Sequence, residues 1–332
     1  MKREESCAAR LGRVGGQAVL EGVMMKSGDR TVLAVRDETG KIRTSVDTHT
    51  SVRKKYKFLN IPLLRGIVNF VETMILSYNT LMQSADMLGI DEAAEDSKFE
   101  AWLRSKWGDK FMAVLMGIAT VLGMVVGLGL FLYLPAFVTK WLDSLLGGIG
   151  WFRNVIEGVM KIAIFVAYIA LCSLMKEMRR TFEYHGAEHK SIACYESGME
   201  LTPENAAKCS RFHPRCGTSF LFVILILSIL VNSLISWENL ALRVVLKILL
   251  LPVIVGLGFE FIMYAGKHTN VFTRLLSAPG LWMQRITTRE PDESQLEIAI
   301  TALKLAMPDE FPPEAEEEAD DANSADADIE AE

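Results

Sequence analysis

The residues best suited to chemistry cluster near the middle of the chain, in Glu183-Tyr184-His185-Gly186-Ala187-Glu188-His189-Lys190. His185, Glu188 and His189 make the pattern H-x-x-E-H, the order found in inverted zincins. Residues four apart on a helix share a face, so the two imidazoles can serve one divalent metal, zinc being the first candidate. Glu188 then stands beside them as a general base. Further along, Cys209-Ser210-Arg211-Phe212-His213-Pro214-Arg215-Cys216-Gly217-Thr218 offers His213 and Cys216 as a second pair of ligands. Four ligands would close a structural zinc shell, whereas three would leave a catalytic position open.

The same residues have plainer uses. Gly186 weakens the helix that the geometry requires. Histidine, glutamate and lysine beside a membrane can form a solvated network, and His213 with Cys216 can cap the helix that follows. Glu260 is the remaining candidate ligand, because a carboxylate inside an apolar helix is costly and marks function by default. It can equally reach the headgroups or pair with a base such as Lys267. Glu157 and Lys161 read as a structural pair spaced i to i+4.

These side chains must be positioned by a membrane protein. Half of the 332 residues are hydrophobic, and the mean hydropathy of +0.23 is high for a soluble chain. The apolar residues concentrate in Phe111 to Val138, Val155 to Met175, Thr218 to Ile235 and Leu240 to Ala265. Stretches of about twenty residues cross roughly 30 Å of hydrocarbon, so about four transmembrane helices are expected. Lys and Arg are richest before the first span, between the second and third, and after the fourth. That bias puts both termini and the His/Cys loop in the cytosol, for a multi-pass protein of the cell inner (plasma) membrane. Arg243 and Lys247, in the first turns of the fourth span, must then snorkel to the outer interface or pair inside the bundle.

The expected fold is mainly α, with a small cytosolic N-terminal sheet and an interfacial helix. Residues 1–60 form the β region, with strands in Gly16 to Met25 and Thr31 to Arg36. Asp37-Glu38-Thr39-Gly40 supplies a turn and Lys41 to Val46 a return strand. Residues 61–110 hold an amphipathic helix, Ile61 to Leu88, either on the inner interface or packed on the bundle, or else a core helix of a soluble N-terminal domain, and an acidic linker at Asp91 to Asp96. Residues 111–265 are the four-helix membrane domain carrying the loop 176–217, within which Thr202 and Pro203 start a helix. Residues 266–307 hold cytosolic C-terminal helices, one of them over Asp292 to Met307. Residues 308–332 are an acidic tail disordered by composition. The five cysteines give no disulfide framework, since Cys194, Cys209 and Cys216 fall on the reducing side and Cys7 and Cys172 have no evident role. No basic-aromatic surface argues for nucleic acid; the expected partners are the lipid bilayer and other membrane proteins.

Four blocks together resemble the YqhQ family of bacterial membrane proteins: Gly15 to Met25, Tyr184 to Lys190, His213 to Phe220, and Leu281-Trp282 to Thr288-Arg289-Glu290-Pro291. The resemblance runs from about Gly12 to Leu305. It implies a metal-dependent enzyme without naming a reaction. Two functions are therefore expected. One is a membrane-embedded metal-dependent hydrolase at the cytosolic leaflet, with His185 and His189 as ligands, Glu188 as base, and His213, Cys216 or Glu260 completing the shell. The other is a non-catalytic scaffold or membrane-protein assembly factor, in which the same residues hold a structural metal or a polar loop. Gln17 and Glu21, polar residues in the N-terminal block, are candidates to reach the histidines.

Overall fold

The computed structural model describes residues 10–89, 98–148, 150, 152–233, 240–265 and 270–312. Cys7, the acidic linker 91–96, Lys267, the tail beyond 312 and the side chains of Arg243 and Lys247 lie outside the described residues.

The chain opens in a four-stranded antiparallel meander of β1 (Val14–Val19), β2 (Gly22–Ser27), β3 (Arg30–Arg36) and β4 (Ile42–Thr48). The block Gly16 to Met25, expected as one strand, is a hairpin. Its pairing runs from Val19 opposite Gly22 to Val14 opposite Ser27. The turn is Leu20-Glu21, and the residue at positive φ (49°) is Glu21, so the Gly or Asn that normally advertises such a turn is missing. Gly22 follows because a Cβ there would overlap the Ala34 carbonyl. The turn at Asp37 to Gly40 forms as expected: the Asp37 carboxylate accepts the N–H groups of Thr39 and Lys41 at 2.9 and 3.0 Å.

Both faces of β2 and β3 are covered, which explains their nearly unbroken apolar sequence. Val23, Met25, Val32 and Ala34 join the main core, while Met24, Leu33 and Val35 face Leu76 and Met87. Those last two belong to α2 (Leu64–Met87), the expected amphipathic helix, which follows the short α1 (Val52–Lys55).

The apolar middle of the chain begins with α3 (Lys98–Leu128), which runs through a π-helical turn, Gly129–Tyr133, into α4 (Leu134–Leu146). The turn sits just before Pro135. Its widened hydrogen bond, from the Leu134 N–H to the Gly129 carbonyl, lets the helix continue past a residue with no N–H of its own. Next comes α5 (Phe152–Cys172), where Lys161 reaches Glu157 at 2.8 Å. Among the described residues two helices, Gly117–Leu146 and Phe152–Cys172, are long and apolar enough to cross a membrane. Large apolar side chains stand uncovered along both, Ile118, Val125 and Tyr168 among them. Of the four expected spans, two are thus candidates by length and composition. The third and fourth candidates are α8 (Gly217–Ser233) and α9 (Leu240–Ala265), whose apolar runs, Gly217–Val231 and Leu249–Ala265, are shorter.

Between α5 and α8 lie α6 (Lys176–Glu196) and α7 (Pro203–Ala207); after α9 come α10 (Val271–Thr287) and α11 (Glu293–Ala306). The segment expected as a loop is therefore mostly helix. α6 and α11 pack on each other and on the sheet, so Tyr184, Ala187, Ile192 and Tyr195 share one core with Leu296, Ile298, Ile300 and Leu303. α11 is started by a reciprocal cap between Asp292 and Gln295, and α7 by Thr202 with Pro203 behind it.

Candidate metal centre

α6 runs antiparallel along β1, the edge strand of the sheet. Near its start Arg180 pairs with Glu21. In its middle Glu188 accepts the Gly16 N–H, and at its end Glu196 accepts the Gly12 N–H at 2.8 Å. Edge strands need cover, and this helix supplies it. The close approach depends on Gly16, where a Cβ would stand 2.9 Å from the Glu188 Cγ and 2.7 Å from the Met24 carbonyl oxygen.

Gly186 does not break the helix. It lies where the segment after α10 crosses α6, and a Cβ there would overlap the Arg289 carbonyl oxygen. The glycine is thus what lets the C-terminal segment lie against the histidines.

Each histidine is fixed through its far nitrogen. His185 Nδ1 lies 2.8 Å from the Thr287 carbonyl oxygen, and His189 Nδ1 lies 2.6 Å from that of Arg211. A carbonyl only accepts, so each Nδ1 carries a proton, and whenever the ring is neutral its Nε2 presents a lone pair. His185 Nε2 is 3.3 Å from Cys216 Sγ. One ligand atom from each of His185, His189 and Cys216 falls within 4.8 Å of the other two. A tetrahedral zinc shell, with bonds of about 2.0–2.3 Å, needs its ligand atoms roughly 3.3–3.8 Å apart. The three residues therefore fit a zinc-type cation with little movement, and the carbonyls behind the rings are the support that metal-binding histidines generally use. Burial depresses the pKa of His189, which favours the neutral ring a ligand needs.

Glu188 is 6% exposed, and one of its carboxylate oxygens comes within 3.9 Å of His185 Nε2. Burial pushes its pKa up to about 7, against the opposing pull of His185 and the Gly16 N–H. A carboxyl group in that range can take up and release a proton near neutral pH.

The carbonyls are themselves held. Arg211 donates to the Thr288 carbonyl and hydroxyl. Gln284, fully buried on α10, receives the His213 N–H at 2.8 Å and donates to the His213 carbonyl at 2.7 Å and to Ser219 Oγ at 3.0 Å. Sequence reasoning missed Gln284 and the Arg211 and Thr287 carbonyls. A backbone oxygen leaves no mark in a sequence, and Gln284 shares its buried helical face with Ser277, Gly280 and Thr287, so no break in an apolar stripe marks it.

His213 is near but apart. Its ring centroid is 5.6 Å from that of His189, and its Nε2 lies 3.6 Å from Glu196, which also pairs with Arg215. Glu260 is not brought to the histidines: its carboxylate is engaged by the Arg65 guanidinium of α2, with Nε to Oε1 at 2.6 Å. Of the N-terminal pair, Gln17 donates to the Ser77 carbonyl and Glu21 binds Arg180 and the Tyr184 hydroxyl. It is Gly16, the residue before Gln17, that touches Glu188. Cys194 and Cys209 make local contacts to the Glu200 and Asn205 carbonyls.

The family described as "Protein of unknown function (DUF1385)" matches residues 61–309. The chain is also 33% identical over 291 residues to a protein of Bacillus subtilis (strain 168) described as "Uncharacterized protein YqhQ", covering 86% of this chain and 89% of that one. No solved structure matches.

Proposed function

Because the chain belongs to the DUF1385 family, whose function its description leaves open, we propose that it is a metal-dependent hydrolase associated with the membrane. The observation that carries this reading is the cluster of one ligand atom each from His185, His189 and Cys216 within 4.8 Å of one another, with both Nδ1–H groups committed to carbonyls. His185, His189 and Cys216 would hold the cation, and a set of three protein ligands is the kind used by catalytic rather than closed structural zinc sites. A divalent cation held there supplies Lewis acidity. Glu188, buried beside His185 and pushed into the neutral range, accepts the proton of the attacking water and returns it to the leaving group. His213 is a flanking residue, kept by Glu196 and Arg215 at the margin of the site.

A second reading has its own support. His189 is 2% exposed, and Cys216 is buried as well, so a cation here would also serve as a clamp between α6 and the turn before α8, in a scaffold with no reaction of its own. Elemental mass spectrometry on the detergent-purified chain tests the shared premise. Near-stoichiometric zinc, iron or manganese that disappears in His185→Ala/His189→Ala supports a metal centre, whereas no metal in either sinks both versions. Glu188→Gln then separates them. Under the hydrolase reading it keeps the metal and the melting temperature, and it abolishes hydrolysis of whichever substrate a panel of esters, amides and phosphoesters reveals. If the panel yields nothing for the metal-loaded wild type, the clamp stands in front.

A further inference from the structure

The outward face of α2 is apolar and uncovered. Val71, Met74, Ile75, Tyr78 and Met82 follow one another at helical spacing, and each is 40–64% exposed. The opposite face is accounted for, since Leu76 and Met87 pack under the sheet, Gln17 reaches the Ser77 carbonyl and Gln83 donates to Ser45. A monomer rarely leaves so continuous an apolar strip in water.

Two features identify what covers it. The first is continuity. The start of α2 packs on α9, where a Cβ on Gly66 would stand 3.0 Å from the Gly256 Cα, and Arg65 pairs with Glu260. The strip therefore extends an apolar surface that α9 already exposes at Leu249, Leu251 and Met263. The second is charge. Immediately before α2 lies a short basic and aromatic stretch, in which Lys54, Lys55 and Lys57 are exposed and Tyr56 and Phe58 are 46% and 66% exposed. It is tied to the middle of α2, because Glu72 accepts the Ser51 hydroxyl at 2.8 Å and the Val52 N–H at 2.7 Å. An apolar helical face preceded by exposed aromatics and lysines is the recognition chemistry of an anionic phospholipid surface.

We infer that α2 lies in the membrane interface, with Val71 to Met82 turned into the acyl boundary of a phospholipid leaflet and Lys55 and Lys57 against anionic headgroups. This surface is independent of the metal reading. It sets the sheet, which packs on the other side of α2, directly above the leaflet.

The test is photocrosslinking of the full-length chain with p-benzoylphenylalanine at Tyr78, reconstituted in vesicles of phosphatidylcholine with or without phosphatidylglycerol. Intact-mass analysis is expected to show phospholipid adducts. Addition of Lys55→Gln and Lys57→Gln should lower the adduct yield at least about threefold in the anionic vesicles and little in the neutral ones. Adducts to a second copy or to another protein, or no adduct at all, overturn the proposal. An adduct yield indifferent to both lipid charge and the lysine changes overturns its electrostatic half.

Discussion

At the residue scale, the candidate site depends on which nitrogen of each histidine is free, and that is decided by the Thr287 and Arg211 carbonyls rather than by anything in H-x-x-E-H. The motif was legible in the sequence because i and i+4 are neighbours on any helix. Cys216 was legible as one of three candidates, with His213 and Glu260, to complete the shell of these histidines, but not as the one brought within reach of both. Gly186 was misread, since helix propensity counts it as a weakness and only the tertiary structure shows the Arg289 carbonyl filling the space. The two effects can be set against each other. Gly186→Ala gains about 1 kcal/mol of helix propensity, but it drives a methyl into a backbone carbonyl, and overpacking of that kind costs about 1–3 kcal/mol or more. The collision should win. Thermal unfolding in detergent should show a lower midpoint, and elemental analysis should show reduced metal content; a midpoint raised by the substitution would mean that the crossing segment moves aside at little cost. Glu260 pairs elsewhere, and its partner was illegible for a related reason: a carboxylate in an apolar run signals a partner without saying which, and Arg65 lies far away in sequence.

At the scale of elements, helix and strand types followed from period and composition, while the joints between them did not. The Leu20-Glu21 turn lacks the usual residue at positive φ, so one expected strand became a hairpin. The loop expected between two spans became α6, whose interior is as buried as any part of the core. The Gln284 amide is the group that holds the His213 backbone in the turn before α8. Gln284→Ala would leave the buried N–H and carbonyl of His213 without their present partners and free Ser219 as well. Leaving buried polar groups unsatisfied costs about 1–3 kcal/mol each, so a loss of roughly 2–4 kcal/mol is expected after relaxation. The same turn carries Cys216 and the Arg211 carbonyl. Metal content should therefore fall together with stability, and Gln284→Glu, which keeps the acceptor for the His213 N–H, should recover part of both. If stability falls while metal is retained in full, the turn is positioned by something other than Gln284.

At the scale of the whole molecule, the regions that look separate in sequence are one body. The N-terminal sheet, α6 from the middle of the chain and α11 near its end share a core, with the apolar helices emerging between them in sequence. No local pattern could reveal this, because each contribution is an amphipathic face whose partner is hundreds of residues away or on the far side of a hydrophobic run. It follows that α11 is no appendage. Leu296, Ile298, Ile300 and Leu303 are buried in contact with β2, β3 and α6, and such side chains contribute about 1.5–3 kcal/mol apiece. Together they amount to roughly 6–12 kcal/mol, comparable to the entire net stability of an ordinary domain. A chain ended after Pro312 keeps every one of these contacts, including those of Glu310 with Arg13 and Tyr195, and is expected to match the full chain in melting temperature and metal content. A chain ended after Glu290 keeps the histidines, Cys216 and both carbonyls behind the rings, yet it should lose the sheet, read as increased protease cleavage between β1 and β4, and with it the metal. Retention of both by the shorter chain would mean that α6 and the turn before α8 form the centre without the core that now surrounds them.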